Sequence, residues 1–184
     1  MPGKILQQFK LNGKVITIRY PKPGDAASAM ALINETIDEN VPMLRITKTK
    51  PEEEPLWRDN LIKSQESGMK IHLIIDADGV TVGQVALARQ MKPPSRIDHT
   101  AEFGATIKKE YRNRGIGTRA AKILFKLARE KWKLKLAVST FLSVNLAAAG
   151  FSKKLGFKIA GRIPKGTKFG GKYCDSIITV KNLT

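Results

Sequence analysis

The sequence has one cysteine, Cys174, and two histidines, His72 and His99. A single thiol excludes an internal disulfide, and so few soft ligands leave no zinc module and no metal site to expect. Long apolar runs are missing as well. The longest, at 29–33 and 146–151, span about 5 to 6 residues against the ~20 that a membrane-crossing helix needs. The opening Met1-Pro2-Gly3-Lys4 carries no apolar core of a signal peptide. A reducing, cytoplasmic setting without a membrane partner is therefore the expectation. Acidic residues are scarce in one part only. Residues 103–184 hold 19 Lys+Arg and 3 Asp+Glu, net +16, whereas residues 1–102 hold 14 and 13, net +1.

What is present looks globular. The 184 residues are 42% hydrophobic and 27% charged, which excludes a disordered basic tail protein. That length fits one domain over 1–184, with 1–20 as an N-terminal hairpin extension. The net charge of +17 predicts attraction to something anionic: nucleic acid, a phosphorylated ligand or a membrane surface.

Periodicity and turn residues order the chain. Residues 4–11 and 14–20 read as strands around Asn12-Gly13, a type I′ hairpin pair. Asp25 is placed to cap a helix to about Asn40, with Ala29, Leu32, Ile33, Thr36 and Ile37 on one side. Residues 42–51 read as a loop, and Pro51 with the acids after it starts a second helix ending at Gly68. Strands follow at 69–76, 80–89 and 100–107, the last interrupted by Gly104. Ile116, Ala120, Leu124, Leu127 and Ala128 repeat at helical spacing, with Lys122, Lys126, Arg129 and Lys133 opposite. A strand at 134–141, a helix at 145–155 stopped by Gly156, and strands at 158–164 and 172–180 around a Gly/Lys-rich loop complete the order. The whole is a mixed α/β domain. Trp132 reads as core, and Trp57 as packing or an acceptor-site wall.

The chemistry concentrates in 101–121, AEFGATIKKEYRNRGIGTRAA: strand, basic loop, glycine turn, helix. Glycine permits close backbone approach, and the first amides of a helix are unpaired and partly positive. Gly115 and Gly117 thus mark a phosphate site, with Arg112, Arg114, Arg119 and Thr118 beside it. Two nucleotide motifs fail here. Thr118 follows Gly117 rather than the lysine of a Walker loop, and the dinucleotide fingerprint lacks its third glycine and its acid.

Arg112-Asn113-Arg114-Gly115-Ile116-Gly117 resembles the Arg/Gln-x-x-Gly-x-Gly/Ala signature of the GNAT superfamily of N-acetyltransferases. Asn145, Ala148 and Leu155-Gly156-Phe157 are similar to a second stretch of that family, and the element order fits over about 14–181. The resemblance implies a single GNAT-like domain, a mixed and mostly antiparallel sheet flanked by about four helices. It implies acetyl-CoA as cosubstrate and a primary amine as acceptor, attacked directly in a ternary complex, by a monomer or homodimer. The amides of Arg112, Asn113, Arg114, Gly115, Ile116, Gly117 and Thr118 would hold the pyrophosphate. Backbone groups of Ala105, Thr106 and Ile107 would pair with the pantetheine arm, and Asn145 would bind it from the other side.

The proton-transfer residues depart from the family pattern. Ser152 stands where many relatives have an acidic tyrosine, leaving water, Ser152 or Tyr173 for that role. Thr140 stands where amino-terminal acetyltransferases often have a glutamate base. Glu102 is the leading base candidate and His99 the second, while His72 reads as a sheet residue. Cys174 reads as a packed thiol. Acids on the first two helices would favour a cationic acceptor: a protein amino terminus or lysine, with a small amine or antibiotic-like compound as the alternative. The basic residues far from the loop read as solvated faces. Docking on nucleic acid or ribosome is the other reading, and a binding module without catalysis is the non-enzymatic one.

Overall fold

Asn12 and Gly13 take φ of 50° and 79°, both left-handed, as a type I′ turn requires. Strands β1 (Ile5–Leu11) and β2 (Lys14–Arg19) therefore pair back to back, with Leu11 opposite Lys14. Asp78 and Gly79 repeat the device between β3 (Lys70–Ala77) and β4 (Val80–Ala88). The computed structural model describes residues 2–184. Between the two hairpins lie helices α1 (Ala26–Asp38) and α2 (Glu54–Glu66). After them come β5 (Thr100–Ile107), α3 (Ile116–Trp132), β6 (Leu136–Leu142), α4 (Leu146–Lys154), β7 (Lys158–Phe169) and β8 (Lys172–Asn182). All eight strands form one sheet in the order β1-β2-β3-β4-β5-β6-β8-β7. Only β5 and β6 run parallel.

Strand alternation sends two sets of side chains to two faces. Ile71, Leu73 and Ile75 of β3 join Ile16, Ile18, Val85, Leu87, Ala101 and Phe103 beneath α3, which contributes Ile116, Ala120, Leu124 and Ala128. The opposite face carries α1 and α2 through Ala29, Leu32 and Leu61. Four rings lock β5, α3 and α4 together. Phe103 lies 5.2 Å from Phe125, 6.3 Å from Phe151 and 5.7 Å from Phe157, centroid to centroid. Pairs of this kind add about 0.5–1.5 kcal/mol each beyond the area they bury.

Three expectations change. Asp25 does not cap α1; its buried carboxylate takes Arg19 at 2.6 and 2.8 Å and the Lys22 amide at 2.7 Å. Arg19 also reaches Asp76 at 2.6 Å, so β2, β3 and the start of α1 share one buried ion cluster. Gly104 does not interrupt β5, which pairs with β4 residue for residue from Glu102 to Ile107. The Gly/Lys-rich segment is not a loop. β7 continues through it to Phe169, absorbs a bulge between Ile163 and Thr167, and turns at Gly170-Gly171. Asp175 clips that bulge by accepting the Lys165 amide at 2.8 Å and pairing with Arg162.

Candidate functional site: a gap in the sheet, an amide cradle and a basic recess

β5 and β6 pair for three residues only, Thr100–Glu102 against Leu136–Val138. Beyond them the strands part. β6 stays bonded to β8 as far as Leu142, and β5 stays bonded to β4 as far as Ile107. The edge of Phe103–Ile107 that faces β6 is left without a strand partner, and Gly104 and Ala105 are exposed there. Ala105, Thr106 and Ile107 therefore line an open, V-shaped gap in the sheet. Glu102 sits at its vertex, exposed, opposite Val138. Alternation puts it on the face opposite Ala101 and Phe103, the face that carries α1 and α2.

The gap opens toward the start of α3. Asn113 and Gly115 take φ of 60° and 80°, left-handed positions alternating through the turn. Backbone of this kind points successive N–H groups into one concavity. The amides of Asn113, Arg114, Gly115, Ile116, Gly117 and Thr118 find no acceptor among the described residues, and no side chain caps α3. The Arg112 amide is different, because it donates to Lys109 O at 3.2 Å. The cradle is thus 113–118 rather than 112–118. A Cβ on Gly115 would meet nothing within 4 Å, so the glycine serves φ, not space. Gly117 packs at the crossing of β5 and α4, where a Cβ would lie 3.4 Å from Ile107 and 3.5 Å from Phe151. Six unpaired, partly positive N–H groups suit a phosphate group, so this cradle and the adjoining strand edge fit a cofactor with a pyrophosphate and an extended arm.

Two contacts draw the α1 end over the gap. Arg112 donates from Nε to Ile107 O at 2.8 Å and from Nη1 to Glu39 at 2.6 Å. Its guanidinium braces the loop and is committed to protein groups. Asn145 accepts the Ala148 amide at 2.9 Å as the cap of α4 and donates to Pro42 O at 2.6 Å. Both ends of its amide are engaged, so Asn145 ties the loop after α1 to the far side of the gap. Arg119 lies with its guanidinium 4.3 Å from the Phe9 ring, and Arg114 stands exposed.

The loop after α1 and the β7–β8 tip enclose a recess of about 350 Å³. Ile37, Val41, Met43, Ile46 and Phe169 make it apolar, and Arg45 and Lys168 supply its charges. No carboxylate lines it. Most of the acids expected to form an acidic rim are paired elsewhere: Glu35 with Lys108, Asp38 with Lys48, Glu39 with Arg112, Glu54 with Arg58 and Asp59 with Lys63, while Glu53 accepts the Lys50 amide. The acids on the first two helices thus form no wall of this recess.

The remaining candidates scatter. Ser152 is buried, its hydroxyl 3.2 Å from Thr179 Oγ1. Tyr173 is 67% exposed and lies past the end of β6, under Lys168 at 5.0 Å. His99 stands at the far end of β5, away from the gap. Cys174 is half-buried against Thr167. His72 is buried, bonded to Gln84 at 2.9 Å, and burial pushes its pKa down to about 3, with the Lys70 charge adding to the effect. Trp57 is half-buried on α2 and does not line the recess. The closures by Glu39 and Pro42, and the Arg45–Lys168 recess, had no sequence signal, since each depends on which distant residues meet.

Residues 16–158 match the family described as the acetyltransferase (GNAT) domain. The chain belongs to the GNAT acetyltransferase family. An L-methionine sulfoximine/L-methionine sulfone acetyltransferase of Pseudomonas aeruginosa is 25% identical over 155 residues, 84% of this chain and 87% of that one. The L-amino acid N-acetyltransferase AaaT of Escherichia coli is 26% identical over 121 residues, 66% of this chain and 72% of that one. Among solved structures, yncA of Salmonella typhimurium with its cofactor acetyl-CoA superposes with a TM-score of 0.79 at 18% identity, over 92% of this chain and 94% of that one. The GNAT chain is thus an acetyltransferase with the mixed eight-stranded sheet and four helices expected of it. Among the described residues no helix is long and apolar enough to cross a membrane.

Proposed function

We propose that this GNAT enzyme uses acetyl-CoA to acetylate the amino group of a small acceptor that also carries a carboxylate, an α-amino acid with an apolar side chain. The observation that carries this reading is the recess. It offers Arg45 and Lys168 to a carboxylate, apolar walls to a side chain, and no acid to hold a second cation. The two relatives named for acetylating amino acids point the same way. A protein amino terminus has no α-carboxylate to meet Lys168 and the remaining N–H groups of Arg45, whose Nε and Nη2 already donate to Thr47 O and Thr49 Oγ1.

Acetyl-CoA supplies an activated acetyl thioester. The amides of 113–118 would hold its pyrophosphate, and the free edge at Ala105, Thr106 and Ile107 would hold its arm and orient the acetyl carbonyl. Glu102, at the vertex, lies about 23 Å along the β8 register from Lys168, so it would take the proton from the acceptor amine only through a chain of waters. We assign no proton transfer to Ser152, whose hydroxyl is engaged by Thr179, or to Tyr173, which stands outside the gap. A thiolate with an ordinary pKa of about 8.5 leaves without a protein acid.

Thiol release with an acceptor panel tests this. Free L-amino acids with apolar side chains should react best, and their amides should lose about tenfold or more in kcat/KM for want of the charge-assisted bonds. Peptides or polyamines outcompeting the free acids would sink the reading.

A further inference from the structure

The charge of the second half is not used up by the cofactor cradle. On α3, Lys122, Lys126 and Arg129 recur once per turn, Lys133 follows as its left-handed C-cap, and all four are exposed. Offsets of four and three residues keep Lys122, Lys126 and Arg129 within one narrow stripe, and Lys133 extends it to the helix end, about 16 Å in all. Of the four, only Lys126 is in an ion pair among the described residues, with Glu130 at 3.9 Å. The stripe runs away from the cradle and ends in a second recess of about 500 Å³. Arg89, His99, Trp132, Lys133 and Lys135 line it, with Asp98 as its single acid. The Arg89 guanidinium lies over the Trp132 ring at 4.3 Å and donates to Gly68 O at 3.4 Å and Trp132 O at 3.3 Å. Trp132, expected to be core, packs partly buried against the core and presents its open side as a wall of this recess.

We infer that this face docks RNA, the stripe following backbone phosphates and the Arg89–Trp132 recess receiving an unpaired base. A row of unpaired cations at turn spacing matches a phosphate backbone. An indole and a guanidinium plane are the surfaces on which splayed RNA bases stack. A membrane is the poorer partner, because a helix lying on lipid needs exposed apolar side chains and none of the large ones exposed in this protein is on α3. The recess lies some 25 Å from the cradle, at the other end of α3, so docking and acetyl transfer use separate ground.

The test is a titration of the full chain with a short RNA hairpin carrying an unpaired loop, over a range of salt. Binding should weaken linearly on a log–log salt plot, and saturating acetyl-CoA should leave it unchanged. Arg129→Glu with Lys133→Glu, both on the exposed stripe, should weaken binding about tenfold or more and lower the salt slope by about 2, with acetyl-CoA binding intact. Trp132→Ala should erase the preference for the looped hairpin over a blunt RNA duplex. The inference is overturned if the double variant binds RNA as the parent does, or if acetyl-CoA displaces the RNA. Equal or tighter binding to phosphatidylserine vesicles, to polyglutamate or to duplex DNA would overturn it too.

Discussion

Arg112 Nη1 lies 2.6 Å from a Glu39 carboxylate oxygen, joining the loop before α3 to the end of α1 across 73 residues of sequence. Its Nε holds Ile107 O, the last carbonyl of the gap edge. One guanidinium thus connects the loop before α3, the gap edge and the end of α1. The pair is partly open to water, with side chains 30% and 26% exposed, so its own strength is modest. Its effect should appear as coupling. In a cycle of Arg112→Met, Glu39→Gln and the double variant, acetyl-CoA affinity measured by calorimetry should be non-additive by about 0.5–1 kcal/mol. Strict additivity would show that the contact is incidental.

Gly115 is held at φ 80° with open space around the position of a Cβ. Gly115→Val forces a β-branched residue into the left-handed region, at about 1–2 kcal/mol, or else the turn flips. A flip takes the unpaired amides out of register. Acetyl-CoA should then give little or no thermal shift, while the protein alone melts only a few degrees lower. Gly117→Ala is the informative contrast. It meets only ordinary contacts with Ile107 and Phe151, so it should fold as the parent does.

The signature at 112–117 was readable because glycine and arginine at fixed spacing have few other uses, and the loop, turn and helix stand where the residues put them. The type I′ hairpins and the amphipathic α3 were readable for the same reason, being local. What could not be read is pairing at long range. Glu35 and Glu39 look like an acidic wall in sequence, yet Lys108 and Arg112 cancel them from 73 residues away. Asn145 matches the family stretch, but its amide is engaged at one end by Pro42, 103 residues distant. The loop-like composition around Lys165 and Gly166 likewise hid the long β7, because Lys and Gly say nothing of a partner strand as regular as β8.

Glu102 stands at the vertex of the gap, its carboxylate exposed and in no ion pair among the described residues. Glu102→Gln keeps the size and removes the base. At neutral pH kcat should fall by about 10²–10⁴, the usual worth of a positioned base, with acetyl-CoA affinity preserved. Raising the pH should restore part of the rate, because the free amine then forms without help. An unchanged rate at neutral pH would move the proton elsewhere, with water the first alternative.

His72 contributes a pH dependence to the fold. It is 2% exposed and bonded to Gln84, with a pKa lowered from 6.5 to about 3 by burial, then by the Lys70 charge. A folded pKa below the unfolded one means that the unfolded chain takes up the proton first. The stability tied to neutral His72 is complete above pH 6.5 and drains away as the pH falls toward 3. By about pH 4.5 the loss from this one group amounts to about 2–3 kcal/mol. His72→Gln carries no titrating ring, so its urea midpoint should change less than the parent's between pH 7 and about 4.5, whatever its absolute stability. Asp25 acts lower on the scale. Burial alone would raise its pKa, but Arg19 and the Lys22 amide overcome that and hold it below the ordinary carboxylate value, so its share is lost only in stronger acid. Parallel curves for parent and His72→Gln across that range would show that His72 is protonated in the folded protein.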